Sequence, residues 1–201
     1  PSALPADALA PEVAPKKPVR AELERPVPAD RVAVGLPAPG LGHADRAAYD
    51  LLATLLTGGP SARLYRKLVV EDAVASSVRG DVSPTKDHGL FTIWVQLREG
   101  HTAAEAEAAI VGAAGDLAAR AIAPDELERA RNIVLGGIWS DLDHSSGRAE
   151  RLGHFEISTG DYRNLAARLD AYGAVTADDV LRVARTWLGP GARTTVVARP
   201  L

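Results

Sequence analysis

Residues 58–78 constrain the fold most, because in one short segment they end a helix, turn the chain and begin a strand. Gly58 and Gly59 follow apolar residues at helical spacing, and glycine is the usual residue just after a helix. A turn of small residues then leads into a basic and aromatic helical turn at residues 64–66. Apolar and polar residues begin to alternate near Val74, which predicts a strand. The segment therefore indicates a helix and a strand joined by a compact helical turn.

The residues on either side of this segment predict further strands and one long helix. Residues 31–36 alternate and predict a strand, whereas residues 44–57 have the apolar spacing of a helix with one buried face. Residues 74–82 and 89–97 predict an antiparallel hairpin. In its second strand the alternate positions from Phe91 to Leu97 share one face, and Trp94 lies on the other.

Helices are predicted for most of the chain after the hairpin. Thr102 and Glu105 have the spacing of a capping box, and so do Thr176 and Asp179. Pro124 is typical of a first helical position. The predicted helices cover residues 103–121, 124–138, 145–157, 161–172 and 176–188, and a last strand covers residues 194–198.

This succession predicts an α+β fold, a two-layer sandwich in which helices pack on one face of a mixed, mostly antiparallel sheet. Residues 1–29 are rich in proline and alanine and predict a linker or an arm on a surface, because repeated proline is incompatible with a regular helix or an inner strand. Residues 30–201 are predicted to form the folded domain. No short-period repeat is evident.

Composition excludes several classes of function. The formal net charge is −3 and the basic residues are dispersed, which gives no sign of a nucleic-acid partner. The chain has no cysteine, so disulfides, thiol catalysis and cysteine-ligated metals are absent. It also has no methionine, from which we expect a processed or excised chain. No apolar run approaches the length of a membrane span. Both a periplasmic or secreted location and a cytoplasmic one stay open.

The residues alone predict no catalytic constellation. No two histidines are three or four residues apart, so no helix face presents a histidine pair to a metal. Glu150 and His154 are expected to be a solvated helical pair, and His144 with its neighbouring aspartates a polar helix end. Ser145 is expected to lie at a helix junction, since no nucleophile-elbow motif surrounds it. The glycines at 58–59 follow a helix and lack the lysine of a phosphate-binding loop.

Several blocks of residues nevertheless resemble one family. They are residues 61–65 (Ser-Ala-Arg-Leu-Tyr), 73–78 (Ala-Val-Ala-Ser-Ser-Val), 148–153 and 175–180. In this order and spacing they resemble the C-terminal, non-zinc-binding domain of the pitrilysin/insulinase-type zinc metallopeptidases, in the subgroup of the processing peptidases. The resemblance covers nearly everything after the proline-rich arm.

The resemblance implies a role inside a larger peptidase. In that family two homologous domains enclose a chamber in which an extended peptide adds to a sheet edge, and the N-terminal domain carries His-x-x-Glu-His and zinc. The C-terminal domain often lends an arginine and, seven residues later, a tyrosine, and here those places fall on Val69 and Ser76. We therefore expect no catalytic residue and no metal ligand in this chain. The candidates for substrate contact are Arg63, Tyr65, Arg66, Val69 and Ser76.

Three hypotheses follow. The leading one is the C-terminal domain of a zinc-dependent peptidase, inactive alone, that forms the wall of the substrate chamber. Its partner is then an N-terminal zinc-binding domain or a homologous subunit, and the zinc is bound there. The chain also contacts an extended peptide substrate. The second is a non-catalytic scaffold subunit of the same fold. The third is a small-ligand-binding α+β domain that uses the sheet face around Trp94 as a pocket wall.

Overall fold

The computed structural model describes residues 17–189, 191 and 193–201. The strands are β1 (Val19–Arg25), β2 (Arg31–Ala38), β3 (Ala75–Val82), β4 (Gly89–Leu97) and β5 (Thr194–Pro200). The helices are α1 (Arg46–Thr57), α2 (Arg63–Tyr65), α3 (Ala103–Ala119), α4 (Pro124–Asp143), α5 (Ser145–Thr159), α6 (Asn164–Ala174) and α7 (Ala177–Trp187). A π-helical turn, Arg66–Glu71, continues α2.

The strands form one sheet in the order β1-β5-β2-β4-β3. Only β1 and β5 pair in parallel, and the other neighbours are antiparallel. Helices α1, α3 and α7 contact the sheet, while α4 and α6 pack against α1. The predicted fold class, α+β with a mixed and mostly antiparallel sheet covered by helices on one face, is therefore confirmed.

The helix-facing side of the sheet forms one wall of the hydrophobic core. Val34 on β2 and Phe91 and Ile93 on β4 are buried there, together with Leu52 of α1 and Val183 of α7. The predicted alternation along β4 is confirmed, since Trp94 lies on the opposite, exposed side. The alternation of side chains between the two faces of each strand thus determines which of them are buried in the core.

The sequence did not predict strand β1. It lies between Pro18 and Pro26 at the edge of the sheet and pairs along its whole length with β5, near the other end of the chain. Val19, Ala21 and Leu23 alternate with charged residues, but the prolines on either side of the strand indicated a linker, and nearly all its side chains are exposed. The division of the chain at residue 30 stays a prediction, and the arm up to residue 16 lies outside the described residues.

Strand β2 extends further than predicted, through Pro37, although proline is rare in inner strands. The reason is that β5 pairs with β2 only as far as Gly35, so the missing amide proton of Pro37 leaves no gap in that ladder. The carbonyl of Pro37 instead accepts a hydrogen bond of 2.9 Å from the hydroxyl of Tyr49 on α1. Pro190, which was predicted to end the last helix, lies outside the described residues.

Both predicted capping boxes are present, at Thr102 and at Thr176. Thr176 Oγ1 accepts a hydrogen bond of 3.2 Å from the amide of Asp179, and Asp179 Oδ2 accepts one of 2.9 Å from the amide of Thr176. These bonds satisfy two amides at the N-terminus of α7, which no intrahelical carbonyl can reach.

We expect Thr176→Ala to lower the free energy of unfolding by about 1 kcal/mol, because the amide of Asp179 loses its acceptor. Thr186→Ala in the same helix is the matched control, since the Thr186 hydroxyl is exposed and only donates to the carbonyl of Arg182. Urea denaturation followed by circular dichroism measures both variants. Equal stability of the two proteins would show that the capping box contributes nothing.

Candidate functional site

Residues 58–78 fold as their sequence predicts. The amide of Gly58 donates to the carbonyl of Thr54 at 2.7 Å and ends α1, and Gly59 has a positive φ of 93°. Leu64 and Leu68 are fully buried and anchor α2 and the π-helical turn to the core. A β-bulge then follows at the start of β3. The exposed side of this passage carries the predicted candidates for substrate contact.

Arg63 is occupied by an internal partner. Its Nε and Nη2 donate to the two carboxylate oxygens of Glu126, at 2.7 and 2.8 Å, which joins α2 to the first turn of α4. The hydrogen bonds from Arg63 lower the pKa of Glu126, and those same bonds raise the pKa of Arg63. Such a bidentate geometry is the strongest that arginine makes with a carboxylate. Arg63 thus has a structural contact that sequence reasoning did not reveal.

Tyr65 and Arg66 differ in their surroundings. Arg66 is exposed and its Nη2 lies 3.3 Å from Glu71 Oε1 in the same helical turn. Tyr65 is half-buried, and its hydroxyl has no hydrogen-bond partner in the part of the chain that the structure describes. An exposed ion pair of this kind is weak, so Arg66 is available to exchange its partner.

Val69 and Ser76 occupy the places where the family resemblance expects an arginine and a tyrosine. Val69 is half-buried and packs against the hydrophobic core. Ser76 is exposed at the β-bulge and donates a hydrogen bond of 3.2 Å to the carbonyl of Gln96. Val69 has no polar group to offer, and the short Ser76 side chain is already bonded to its own sheet.

A groove of about 1100 Å³ lies between α2, the π-helical turn and α3. Arg63 and Arg66 line it, whereas Tyr65, Val69 and Ser76 do not. Its charges are largely neutralised within the chain. Besides the pairs of Arg63 and Arg66, the ion pairs along it are Lys67–Asp72, Arg120–Asp116 and Arg129–Asp125, and His101 Nδ1 lies 3.2 Å from Glu105 Oε1. The structure therefore brings together only two of the five candidates, in a groove without a dominant charge.

The other face of the sheet is where the third hypothesis places a pocket wall around Trp94, although only Ser76 among the predicted candidates for substrate contact lies in a strand. No described helix covers it, and a shallow cavity of about 670 Å³ lies upon it, with Trp94 47% exposed in its lining. Three arginines, Arg25, Arg31 and Arg79, line this cavity, and no carboxylate does. We call this surface the open face. The polar residues that alternate with the apolar ones in β2, β3 and β4 are the signal that could have revealed it.

The described residues do not fit a zinc site. Residues 17–189, 191 and 193–201 contain no group of three or more histidine, aspartate or glutamate side chains that could hold a metal ion. Asp141 instead pairs with Arg151, and His144 Nδ1 lies 3.2 Å from the carbonyl of Ser140. Ser145 begins α5, as the predicted helix junction requires.

Across the same described residues, no helix combines the length and the apolar character that crossing a membrane requires.

Comparison with known families places this α+β domain among peptidase domains. The family model for the peptidase M16 inactive domain matches residues 3–134. Because that match spans more than half of the chain, the chain belongs to the peptidase M16 inactive domain family. The resemblance predicted from residues 61–65 and 73–78 is therefore confirmed, and its processing-peptidase specificity is not tested.

The relatives of this chain are named as zinc proteases. An uncharacterized zinc protease of Mycobacterium tuberculosis is 29% identical over 154 residues, which are 77% of this chain and 35% of the relative. One of Streptomyces coelicolor is 29% identical over 153 residues, or 75% of this chain and 33% of the relative. The chain thus spans about a third of the length of the curated relatives it matches.

Solved structures share the whole fold. A protease from Helicobacter pylori superimposes with a TM-score of 0.89 at 24% identity, over 100% of this chain and 48% of that one. A structure from Bordetella parapertussis, described as the inactive peptidase domain of a zinc protease, has a TM-score of 0.78 at 28% identity, over 89% of this chain and 95% of that one. The second match has nearly the size of this domain.

Proposed function

We propose that this chain forms one wall of the substrate chamber of a zinc-dependent peptidase of the pitrilysin/insulinase type. In this proposal the zinc and the water it activates belong to a companion domain or subunit. The observation that carries the proposal is the open face, a broad sheet surface that the described helices leave uncovered, in a chain of the peptidase M16 inactive domain family.

The shape of the open face suits an extended polypeptide. Apolar side chains of Leu23, Trp94 and Val196 line its cavity together with basic residues and polar ones such as Ser77 and Gln96. The groove beside α3 is a weaker candidate because its charges are already paired within the chain. A peptide on the open face gains contacts without first breaking internal ion pairs.

The proposal assigns no chemical step to this chain. Val69 and Ser76 stand where relatives of this type are expected to present donors to the scissile peptide, and neither can reach as an arginine or a tyrosine does. We favour an arrangement in which a partner subunit supplies that pair. The second candidate function, a scaffold subunit that is not peptidolytic even in its complex, is favoured by the same two residues.

We expect the purified chain to show no peptide hydrolysis and no stoichiometric zinc, because its described residues group no metal ligands. Combined with a companion domain that carries His-x-x-Glu-His, it should support hydrolysis of a fluorogenic peptide. A chelator should abolish this hydrolysis and added zinc should restore it. Zinc content by atomic emission and initial rates measure both properties.

The control is the companion with its motif glutamate replaced by glutamine, together with the unchanged chain. Hydrolysis by the metal-loaded chain alone would contradict the proposal. A stable complex that binds zinc and cleaves no peptide in a broad library would favour the scaffold function instead.

A further inference from the structure

The cavity on the open face has a positive charge that its lining residues do not balance. Three arginines line the cavity and no carboxylate does, although the chain as a whole has a formal net charge of −3. Arg25 donates only to the carbonyl of Glu24. The side chains of Arg31 and Arg79 have no hydrogen bond or ion pair among residues 17–189, 191 and 193–201. Glu22 of β1 pairs with Arg199 and Arg20, and Asp81 of β3, which the register places on the same face opposite Thr92, lies outside the cavity lining.

The sheet register places Arg31 and Arg79 beside the same part of β4. Arg31 on β2 lies opposite Gln96 of β4, and Arg79 on β3 lies opposite Trp94 of β4. The two arginines therefore flank β4 from its two sides, at positions two residues apart along the strand, with the exposed indole of Trp94 beside them. Strand β4 separates the strands of the two arginines, so a carboxylate bound by both guanidinium groups would lie above β4, next to Trp94 and Gln96.

This arrangement fits a carboxylate next to an apolar side chain. A guanidinium presents paired donors that match a carboxylate, and the gain is larger when the cation has no internal partner to lose. The indole and the aliphatic side chains of the lining provide contact area for an apolar neighbour. The cavity lining has no lysine, and the arginines form one small cluster, whereas nucleic-acid surfaces present rows of cations along a backbone.

We propose that the open face selects polypeptide segments in which a carboxylate lies beside an apolar residue, with Arg31 and Arg79 holding the carboxylate and Trp94 contacting its neighbour. The carboxylate belongs to an aspartate or glutamate side chain or to the peptide C-terminus. This inference rests on the proposed function, because it names the class of substrate that the chamber wall accepts. It requires no catalytic group in this chain.

The test compares matched peptides on the purified chain. Extended peptides with the same apolar residues carry glutamate or glutamine at one position, each with a free or an amidated C-terminus, so that the two sources of carboxylate are separated. Titration to millimolar peptide is followed by the indole N–H signal of Trp94 in ¹⁵N NMR spectra, which detects weak binding. Trp94→Phe assigns that signal.

We expect the carboxylate peptides to bind at least about threefold more tightly than the fully amidated glutamine peptide, because each exposed arginine adds a weak charge-assisted pair. The preference should shrink as salt rises, because the open face is solvent-exposed. In Arg31→Gln combined with Arg79→Gln it should disappear. Arg120→Gln, which removes one charge from an exposed site at the end of α3, is the control and should keep it.

Equal binding of the glutamate and glutamine peptides, or an unchanged preference in the double variant, would overturn the inference. So would equal competition by a single-stranded oligonucleotide, which would assign the cluster to phosphates. The outcome is separate from that of the proposed function. Loss of peptide preference with intact hydrolysis in the complex rejects only this inference, whereas preference without any hydrolysis rejects only the peptidase role.

Discussion

Replacement of Asp50 by alanine is expected to lower the free energy of unfolding by about 3–5 kcal/mol, the range for removing one partner of a buried ion pair. Asp50 Oδ1 accepts from Arg46 Nε at 2.7 Å, and its Oδ2 accepts from the hydroxyl of Tyr172 at 2.6 Å. Arg46 is only 4% exposed, so the variant leaves a buried cation without its counter-ion.

The rest of this network increases the expected loss. Arg46 Nη1 also donates to the carbonyls of Pro39 and Ser83, which ties α1 to the end of β2 and to the turn after β3. Burial, reinforced by the Asp50 carboxylate, raises the pKa of Tyr172 well above its usual range, so its hydroxyl stays protonated and can donate. Removing the carboxylate thus leaves two buried donors without an acceptor.

Asp116→Ala is the matched control, because its ion pair with Arg120 is exposed, with side chains 50% and 75% accessible. Its loss should cost less than about 1 kcal/mol. Asp50→Asn, which keeps a hydrogen-bond acceptor and removes the charge, should fall between the two. Guanidinium denaturation measures all three. If Asp50→Ala and Asp116→Ala were equally stable, the buried network would not stabilise the fold.

Phe91→Ala is expected to lower the free energy of unfolding by about 3–5 kcal/mol, as for other fully buried aromatic residues. Phe91 is 0% exposed on the helix-facing side of β4. Its ring lies edge-to-face with Tyr49 of α1, with centroids 6.2 Å apart. The neighbouring strand has Gly80 so close to this ring that an added Cβ would lie 2.7 Å from it. Such tight packing leaves little room for the cavity to collapse.

The adjacent residue provides the control for Phe91. Leu90 points to the open face and is 50% exposed, so Leu90→Ala should cost less than about 1 kcal/mol. Thermal unfolding followed by circular dichroism compares the two variants. A similar decrease in melting temperature for both would mean that the helices do not cover the side of the sheet to which Phe91 is assigned.

Much of the fold could be predicted from the chain because its local patterns agree with its tertiary structure. The positions of Phe91 and Trp94 on opposite faces of β4 could be predicted from the two-residue period of a strand alone. The N-cap role of Thr176 could be predicted from its spacing to Asp179 alone. Strand β1 escaped prediction because the prolines on either side of it indicated a linker, and its partner β5 is formed by distant residues.

The candidate contacts were less predictable than the elements that carry them. The sequence identified Arg63 and Arg66 as basic residues of one helical turn, and the structure places both in one groove. Their partners, Glu126 and Glu71, lie at different separations along the chain, so no local pattern distinguishes the strong pair from the weak one.

Apart from β1, the sequence by itself determined the order of the strands and helices along the chain, the class of the fold and the replacement of two expected donors by Val69 and Ser76. Only the tertiary structure decided which charges are neutralised, as for Arg63, and which are not, as for Arg31 and Arg79. The physical reason is that a periodic pattern fixes the direction of a side chain from its own backbone, whereas ion pairing depends on distances between residues remote in the chain.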